Sequence, residues 1–296
     1  MIEPVSSGAA LSAEIRDTKV DDGTVAVWRL GQAGVVVKFP STVVLVDAYL
    51  SNHCEAVLPE PFDHRRLTRS PLDPTDLALV DIIIVTHDHL DHLDVPTLRT
   101  LARYPSSTVI APAAAAPTLR DLGWGEERII ATAAGGTVTV HGLTVDAFAV
   151  PHDEFDHSEQ HGAPYQGFVV SDGSFSFAHV GDARDHVTVR EVLRSARPDV
   201  LFLPINGRNE HRAALGFAGN MTAEEAVDLS AEVGPASVVP VHYDMFAQNI
   251  DQNALQHFVT AAHTRNVPHA VLDVGERVIF TTEGADRGTD QLDQQF

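Results

Sequence analysis

Cysteine, positive charge and long apolar runs are all scarce in this chain, and each scarcity removes a class of explanation. Cys54 is the only cysteine, so no internal disulfide can form and no thiolate cluster can hold a metal. A lone cysteine reads as a small apolar filler. Basic residues are few: 20 Lys and Arg stand against 41 Asp and Glu, a formal net charge of −21. Phosphate backbones are gripped by Lys and Arg, so the balance argues against nucleic acid and equally against an anionic membrane surface. No stretch approaches the ~20 apolar residues that span a bilayer. The first residues, Met1-Ile-Glu-Pro-Val-Ser-Ser7, lack the basic start and apolar core of a signal peptide. The expectation is a cytoplasmic protein, long enough at 296 residues and apolar enough at 44% to bury a substantial core.

What the chain has instead is histidine beside aspartate. Residues 86–92 read Thr-His-Asp-His-Leu-Asp-His, directly after the apolar run Ile82-Ile-Ile-Val85. A buried strand that stops at three imidazoles and two carboxylates is hard to explain by packing. Imidazole and carboxylate hold zinc, manganese or iron. Residues at alternate positions, His87 and His89, can reach one ion while Asp91 and His92 reach a second. Asp88, between two of these histidines, reads as an acceptor for a histidine N–H or as a brace for its own loop.

Periodicity places this motif within a larger pattern. Short β-rich runs at 25–30, 35–39 and 42–46 are separated by Gly31-Gln-Ala-Gly34 and Pro40-Ser41. A proline-rich segment over 52–79 is long for a connection and reads as an ordered functional loop. A helix follows the motif, with Asp94 and Pro96 as start signals, then a strand over 108–111 and a small-residue helix over 114–122. Further strands are expected at 137–140, 143–150, 166–171, 175–178, 200–204, 237–241, 269–272 and 277–280. Asp185 is placed to cap one helix, Thr222 with Glu225 forms a capping box for another, and 251–265 forms a third. Strands followed by βα units, twice over, imply two sheets packed face to face with helices outside. The reading is an extension over 1–24, one domain over 25–283, and a polar, frayed tail over 284–296.

More strand ends carry the same chemistry: Pro151-His152-Asp153, His179-Val-Gly-Asp182 and His242-Tyr-Asp244. With H-x-H-x-D-H these elements resemble the metallo-β-lactamase superfamily. The resemblance implies an α/β fold, an αββα sandwich of two mixed sheets with helices on the outer faces, and two divalent metal ions, zinc or manganese. It also implies that His87, His89 and His152 hold one ion and Asp91, His92 and His242 the other, with Asp182 bridging. His157 is the alternative to His152, and His179 stands behind the ligands. Gly31-Gln-Ala-Gly34, Val46-Asp-Ala-Tyr-Leu-Ser51, the run from Arg69-Ser-Pro71 to Asp94, Asn220-Met-Thr222 and Val239-Pro-Val-His242 resemble the L-ascorbate 6-phosphate lactonase family and its uncharacterised hydrolase relatives. The likeness spans residues 25 to 280.

The implied chemistry is hydrolysis. Water shared by two cations is deprotonated near neutral pH, and a cation polarises the carbonyl under attack. Asp91 would steer that hydroxide and pass a proton to the leaving oxygen. The expected substrate is a lactone or ester of a small anionic, sugar-like acid, with Arg208 or Arg184 gripping the anion and Tyr165 near it. Arg65, Arg66 and Arg69 form either a lid that attracts anions or a balance for nearby Asp63 and Asp73. Competing readings are a small-molecule phosphodiesterase of the same fold and a non-catalytic metal binder. A flavin-linked di-iron protein is disfavoured, since His89 is intact and no flavin domain follows. Assembly into a homo-oligomer is compatible with the chain.

Overall fold

Along β1 (Thr24–Gly31) Val25 and Val27 point one way, Ala26 and Trp28 the other, and all four are buried. Successive strand side chains face opposite sides, so a strand buried on both faces needs a layer on each. A computed structural model, which describes residues 1–59, 62–152 and 154–286, supplies both layers.

The first sheet runs in the order β14-β13-β1-β2-β3-β4-β5-β6. Its strands are β2 (Gly34–Lys38), β3 (Val43–Val46), β4 (Ile82–Ile84), β5 (Thr108–Pro112), β6 (Ile129–Thr132), β13 (Arg277–Thr281) and β14 (Gly284–Asp286) around β1. The half from β14 to β3 is antiparallel, and β3 to β6 are parallel. The second sheet runs β12-β11-β10-β9-β8-β7. It comprises β7 (Thr137–Val140), β8 (Leu143–Ala149), β9 (Gln166–Ser171), β10 (Ser176–His179), β11 (Val200–Pro204) and β12 (Ser237–Val241), with β10 to β12 parallel and the rest antiparallel.

The inner faces form one core, in which Val25, Val35 and Ile84 of the first sheet meet Val145, Phe168 and Phe202 of the second. Helices α1 (Gly8–Asp17), α3 (Val95–Leu101) and α4 (Ala116–Asp121) cover the first sheet through Leu11, Ile15, Leu98 and Leu119. Helices α5 (Val187–Ala196), α7 (Ala223–Val233) and α8 (Ala254–Arg265) cover the second. Two short helices, α2 (His53–Val57) and α6 (Glu210–Ala214), lie in loops. The architecture is an αββα sandwich of two mixed sheets. No helix among the described residues is long and apolar enough to cross a membrane.

Some elements differ from the sequence expectation. Residues 1–24 are packed rather than appended: α1 buries Leu11 and Ile15 completely, and Val5 N–H donates to Val274 O at 2.9 Å. The run 269–272 is not a strand, and only His269 makes an isolated bridge, to Val238. His186, not Asp185, caps α5 by accepting from Thr188 N–H, while Asp185 pairs with Arg190. The expected frayed tail begins as strand β14, paired to β13, and residues 287–296 lie outside the described part. The Thr222–Glu225 capping box opens α7 as its sequence requires.

Candidate metal centre

The site is built where strands stop. After β4 the chain is pinned by Asp47, which follows β3. Thr86 N–H donates to Asp47 Oδ1 at 2.8 Å and the Thr86 hydroxyl donates to Oδ2 at 2.6 Å. With its proton so committed, that hydroxyl accepts from His87 Nδ1 at 3.0 Å, which leaves His87 Nε2 as the free lone pair. His92 Nδ1 likewise donates to Asp47 Oδ2 at 2.7 Å and presents Nε2. Asp47 therefore sets the tautomer of two imidazoles, the arrangement that orients metal-binding histidines. Fully buried Asp94 holds the far end of the motif, accepting from Leu50 and Ser51 N–H and from the Ser51 and Thr97 hydroxyls.

The other strand ends meet this loop. His152 follows β8, Asp182 follows β10 and His242 follows β12. Asp182 Oδ1 lies 3.2 Å from His92 Nε2 and 3.3 Å from His242 Nε2, and Asp182 Oδ2 lies 3.8 Å from His152 Nε2. His152 Nε2 is 3.3 Å from His89 Nδ1, and Asp91 Oδ2 is 3.4 Å from His242 Nε2. Three overlapping groups result, His87–His89–His152, His87–His92–Asp182 and Asp91–His92–His242, each with its ligand atoms within 4.8 Å of one another. All seven residues expected as ligands are brought together. His157, the alternative to His152, is exposed.

Unpaired atoms point into the cluster. His87 Nε2, His92 Nε2 and Asp182 Oδ1 are buried without a hydrogen bond, although the last two approach to 3.2 Å. Buried polar groups are rarely left so. Burial and neighbouring imidazoles push His87 well below its ordinary range, and burial takes His152 down to about 4. Burial also opposes a charge on His92 and His242, but the surrounding carboxylates outweigh it, raising His92 well above its usual value and His242 to about 9. The same imidazoles hold Asp182 and Asp91 low despite burial. Five imidazoles converging on two ionised carboxylates are a donor set that fits divalent cations, whose charge would replace that of the ring protons.

Gln32, in the turn after β1, was not marked as a site residue by the sequence. It is almost wholly buried, and its Nε2 donates to Asp91 Oδ2 at 2.7 Å and lies 3.0 Å from His242 Nε2. Its own N–H donates to Asp244, which the buried Arg29 also engages at 2.8 Å. Asp47 is a second such residue. Its place in the shared segment 46–51 was visible, but its contacts to Thr86 and His92 arise only in the fold. His179 stands behind the ligands as expected, with Nε2 donating to Ala33 O at 2.9 Å and Nδ1 accepting from Gly181 N–H.

A cavity of about 380 Å³ opens onto this cluster. His89, Asp91, His152 and Asp182 form its floor, and Leu58, Phe62, His64, Leu90 and Phe217 are among its walls. Tyr165 also lines it, its hydroxyl 3.5 Å from His89 Nε2. The two arginines expected to grip substrate are elsewhere. Arg208 is tied to both Glu225 oxygens at 2.6 Å and to Asn220 O, and Arg184 donates to Gly219 O at 3.2 Å; neither lines the cavity. Nor does the basic cluster act as a lid. Arg65 pairs with Asp63, Arg69 with Glu3, and Arg66 is buried against Tyr49 O, Ser51 O and Thr68 O. Asp88 is exposed at the rim, and Asp47 rather than Asp88 receives the histidine N–H. Cys54 is buried and its thiol is pushed up to about 12 by burial, which suits a filler and not a nucleophile. His64, assigned no role from the sequence, forms part of the cavity wall.

Comparison with known proteins agrees with the geometry. Residues 42–243 match the family model described as a beta-lactamase superfamily domain. A UPF0173 metal-dependent hydrolase of Methanoculleus marisnigri is 30% identical over 208 residues, covering 69% of this chain and 84% of that one. Among solved structures, a metallo hydrolase of the archaeon Ignicoccus hospitalis superposes with a TM-score of 0.65 at 21% identity, over 87% of this chain and 98% of its own. An isothiocyanate hydrolase from Delia radicum gut bacteria gives 0.68 at 19% identity, over 86% and 99%. At such identities these structures establish the fold alone.

Proposed function

From the premise that the chain belongs to the beta-lactamase superfamily, among its metal-dependent hydrolases, we propose that it opens a small ester or lactone with a metal-activated hydroxide. The observation that carries this reading is the set of three overlapping ligand groups sharing His87 and His92. Two divalent cations held there would supply a hydroxide near neutral pH and a Lewis acid for the carbonyl. In this reading His87, His89 and His152 would hold one cation and Asp91, His92 and His242 the other, with Asp182 within reach of both groups. Five imidazoles against two carboxylates favour zinc over manganese.

The chain's own residues do the rest. Asp47 keeps the His87 and His92 lone pairs aimed inward. Gln32 holds one oxygen of Asp91, leaving the other to take up or release a proton at the reacting centre. Tyr165, beside His89 at the cavity wall, is placed to donate its hydroxyl proton to a substrate oxygen. The anionic, sugar-like body was implied by the resemblance to the lactonase family, with Arg208 and Arg184 as the residues expected to grip the anion. Neither lines the cavity, so this reading keeps the reaction and leaves out that grip.

The test is metal analysis with an ester and lactone panel that includes L-ascorbate 6-phosphate, with zinc and manganese supplied in parallel. The expected result is two bound metals per chain and turnover that chelator abolishes and metal restores. Asp182→Ala should lose metal and turnover together; full occupancy with full activity in that variant would remove the assignment.

A further inference from the structure

Resting on the hydrolase reading above, we propose that the cavity selects a substrate whose non-reacting body is uncharged and apolar, aromatic or branched aliphatic, seated against Phe62 and Phe217. Two observations carry this. The first is the wall itself. Phe62 comes from the proline-rich loop and Phe217 from the loop after α6, and their rings meet edge to face with centroids 5.1 Å apart. His64 lies 5.7 Å from the Phe217 ring and 4.8 Å from Phe246, and Leu58, Leu90 and Ala218 continue the surface. Phe62 and Phe217 are only half-buried, so each keeps ring surface that a ligand can cover. Such a wall with a few polar groups at its floor is the ordinary form of a small-molecule site.

The second observation is charge. The carboxylates of Asp88, Asp91, Asp156 and Asp182 line the cavity, and no Lys or Arg does among the described residues. A remote phosphate or carboxylate would lie beside the carboxylates of Asp88 and Asp156, exposed at the rim, with no Lys or Arg to receive it. An anion beside like charges is disfavoured, whereas covering an aromatic ring on Phe62 and Phe217 is favourable.

Hydroxamates of one metal-seeking head and varied body test this by calorimetry on the metal-loaded protein, independently of turnover. The probes are acetohydroxamic, phenylacetohydroxamic and 4-carboxyphenylacetohydroxamic acids. The phenyl body should bind about tenfold or more tightly than methyl, the worth of burying a ring, and the added carboxylate should abolish that gain. Phe217→Ala should bring the phenyl-to-methyl ratio close to one. Phe155→Ala, an exposed aromatic off the cavity, should leave the ratio unchanged. Equal binding of all three, tightest binding of the carboxylate, or binding of none overturns the proposal. The expected ranking without hydrolysis of any ester would sink the hydrolase reading alone. Hydrolysis that favours charged bodies would sink this inference alone.

Discussion

Gln32 joins the turn after β1 to the segments carrying Asp91 and His242. Its carbonyl accepts from His242 N–H at 2.9 Å while its amide holds Asp91, so one side chain and one peptide fix two of the proposed ligands. Partners that orient metal ligands are typically worth 10–100-fold in affinity. Gln32→Ala should therefore weaken metal binding by about that factor in the group Asp91–His92–His242, with a smaller effect on His87–His89–His152. A metal titration resolving two affinities checks it, and two unchanged affinities would refute it. The contrast with His87 explains what was readable. His87, His89, Asp91 and His92 are neighbours in sequence, and spacing alone announces them. Gln32 and Asp47 act across 59 and 45 positions, and glutamine or aspartate beside a glycine or valine carries no signal of what it will touch. Arg208 failed for the reverse reason: its charge was visible, but Glu225, seventeen positions away, claimed it.

Elements place these residues by ending sharply. Asp47, His242 and Gln32 all have positive φ, at 43°, 62° and 52°, in a region that non-glycine residues seldom occupy. Each sits where a strand turns into the site, and such strain tends to collect at functional positions. Gly181 shows the same constraint without a side chain. At φ 61°, an added Cβ would lie 2.6 Å from the Thr86 hydroxyl, the group that holds both Asp47 and His87. Gly181→Ala should cost about 2 kcal/mol or more in denaturant unfolding and lower metal affinity as well. Wild-type values for both would show that the Thr86 brace is dispensable. Strands of alternating or continuous apolar residues, such as β1 and β4, were legible because period 2 survives any context. Helix α1 was not, because its sequence Gly-Ala-Ala-Leu-Ser-Ala-Glu-Ile offers only Leu11 and Ile15 as an apolar face. The run 269–272 misled in the other direction: Ala270 and Leu272 are buried in the inter-sheet core, which explains their apolarity although the segment makes only one bridge, at His269.

For the whole molecule, the site lies where both sheets contribute, so a bound ion would tie the two halves of the sandwich together. His87 and Asp91 follow the first sheet's β4, and His152, Asp182 and His242 follow strands of the second. Anything that binds the folded state and not the unfolded one stabilises it by mass action, about 2.7 kcal/mol at a ligand concentration a hundredfold above its Kd. In a protein of this size each kcal/mol moves Tm by somewhat under about 2 °C. Saturating zinc should then raise Tm by about 4–5 °C over protein stripped with chelator, measured by calorimetry at fixed pH. Because the proposed ligands come from both sheets, the gain should appear as a shift of one cooperative transition and not as a separate early phase. Asp182→Ala should remove most of the shift, since Asp182 faces imidazoles from both sides of the site. A Tm indifferent to zinc and chelator would mean that the converging side chains of His87, His92, Asp182 and His242 hold no ion, and the metal-centre reading would fall with it.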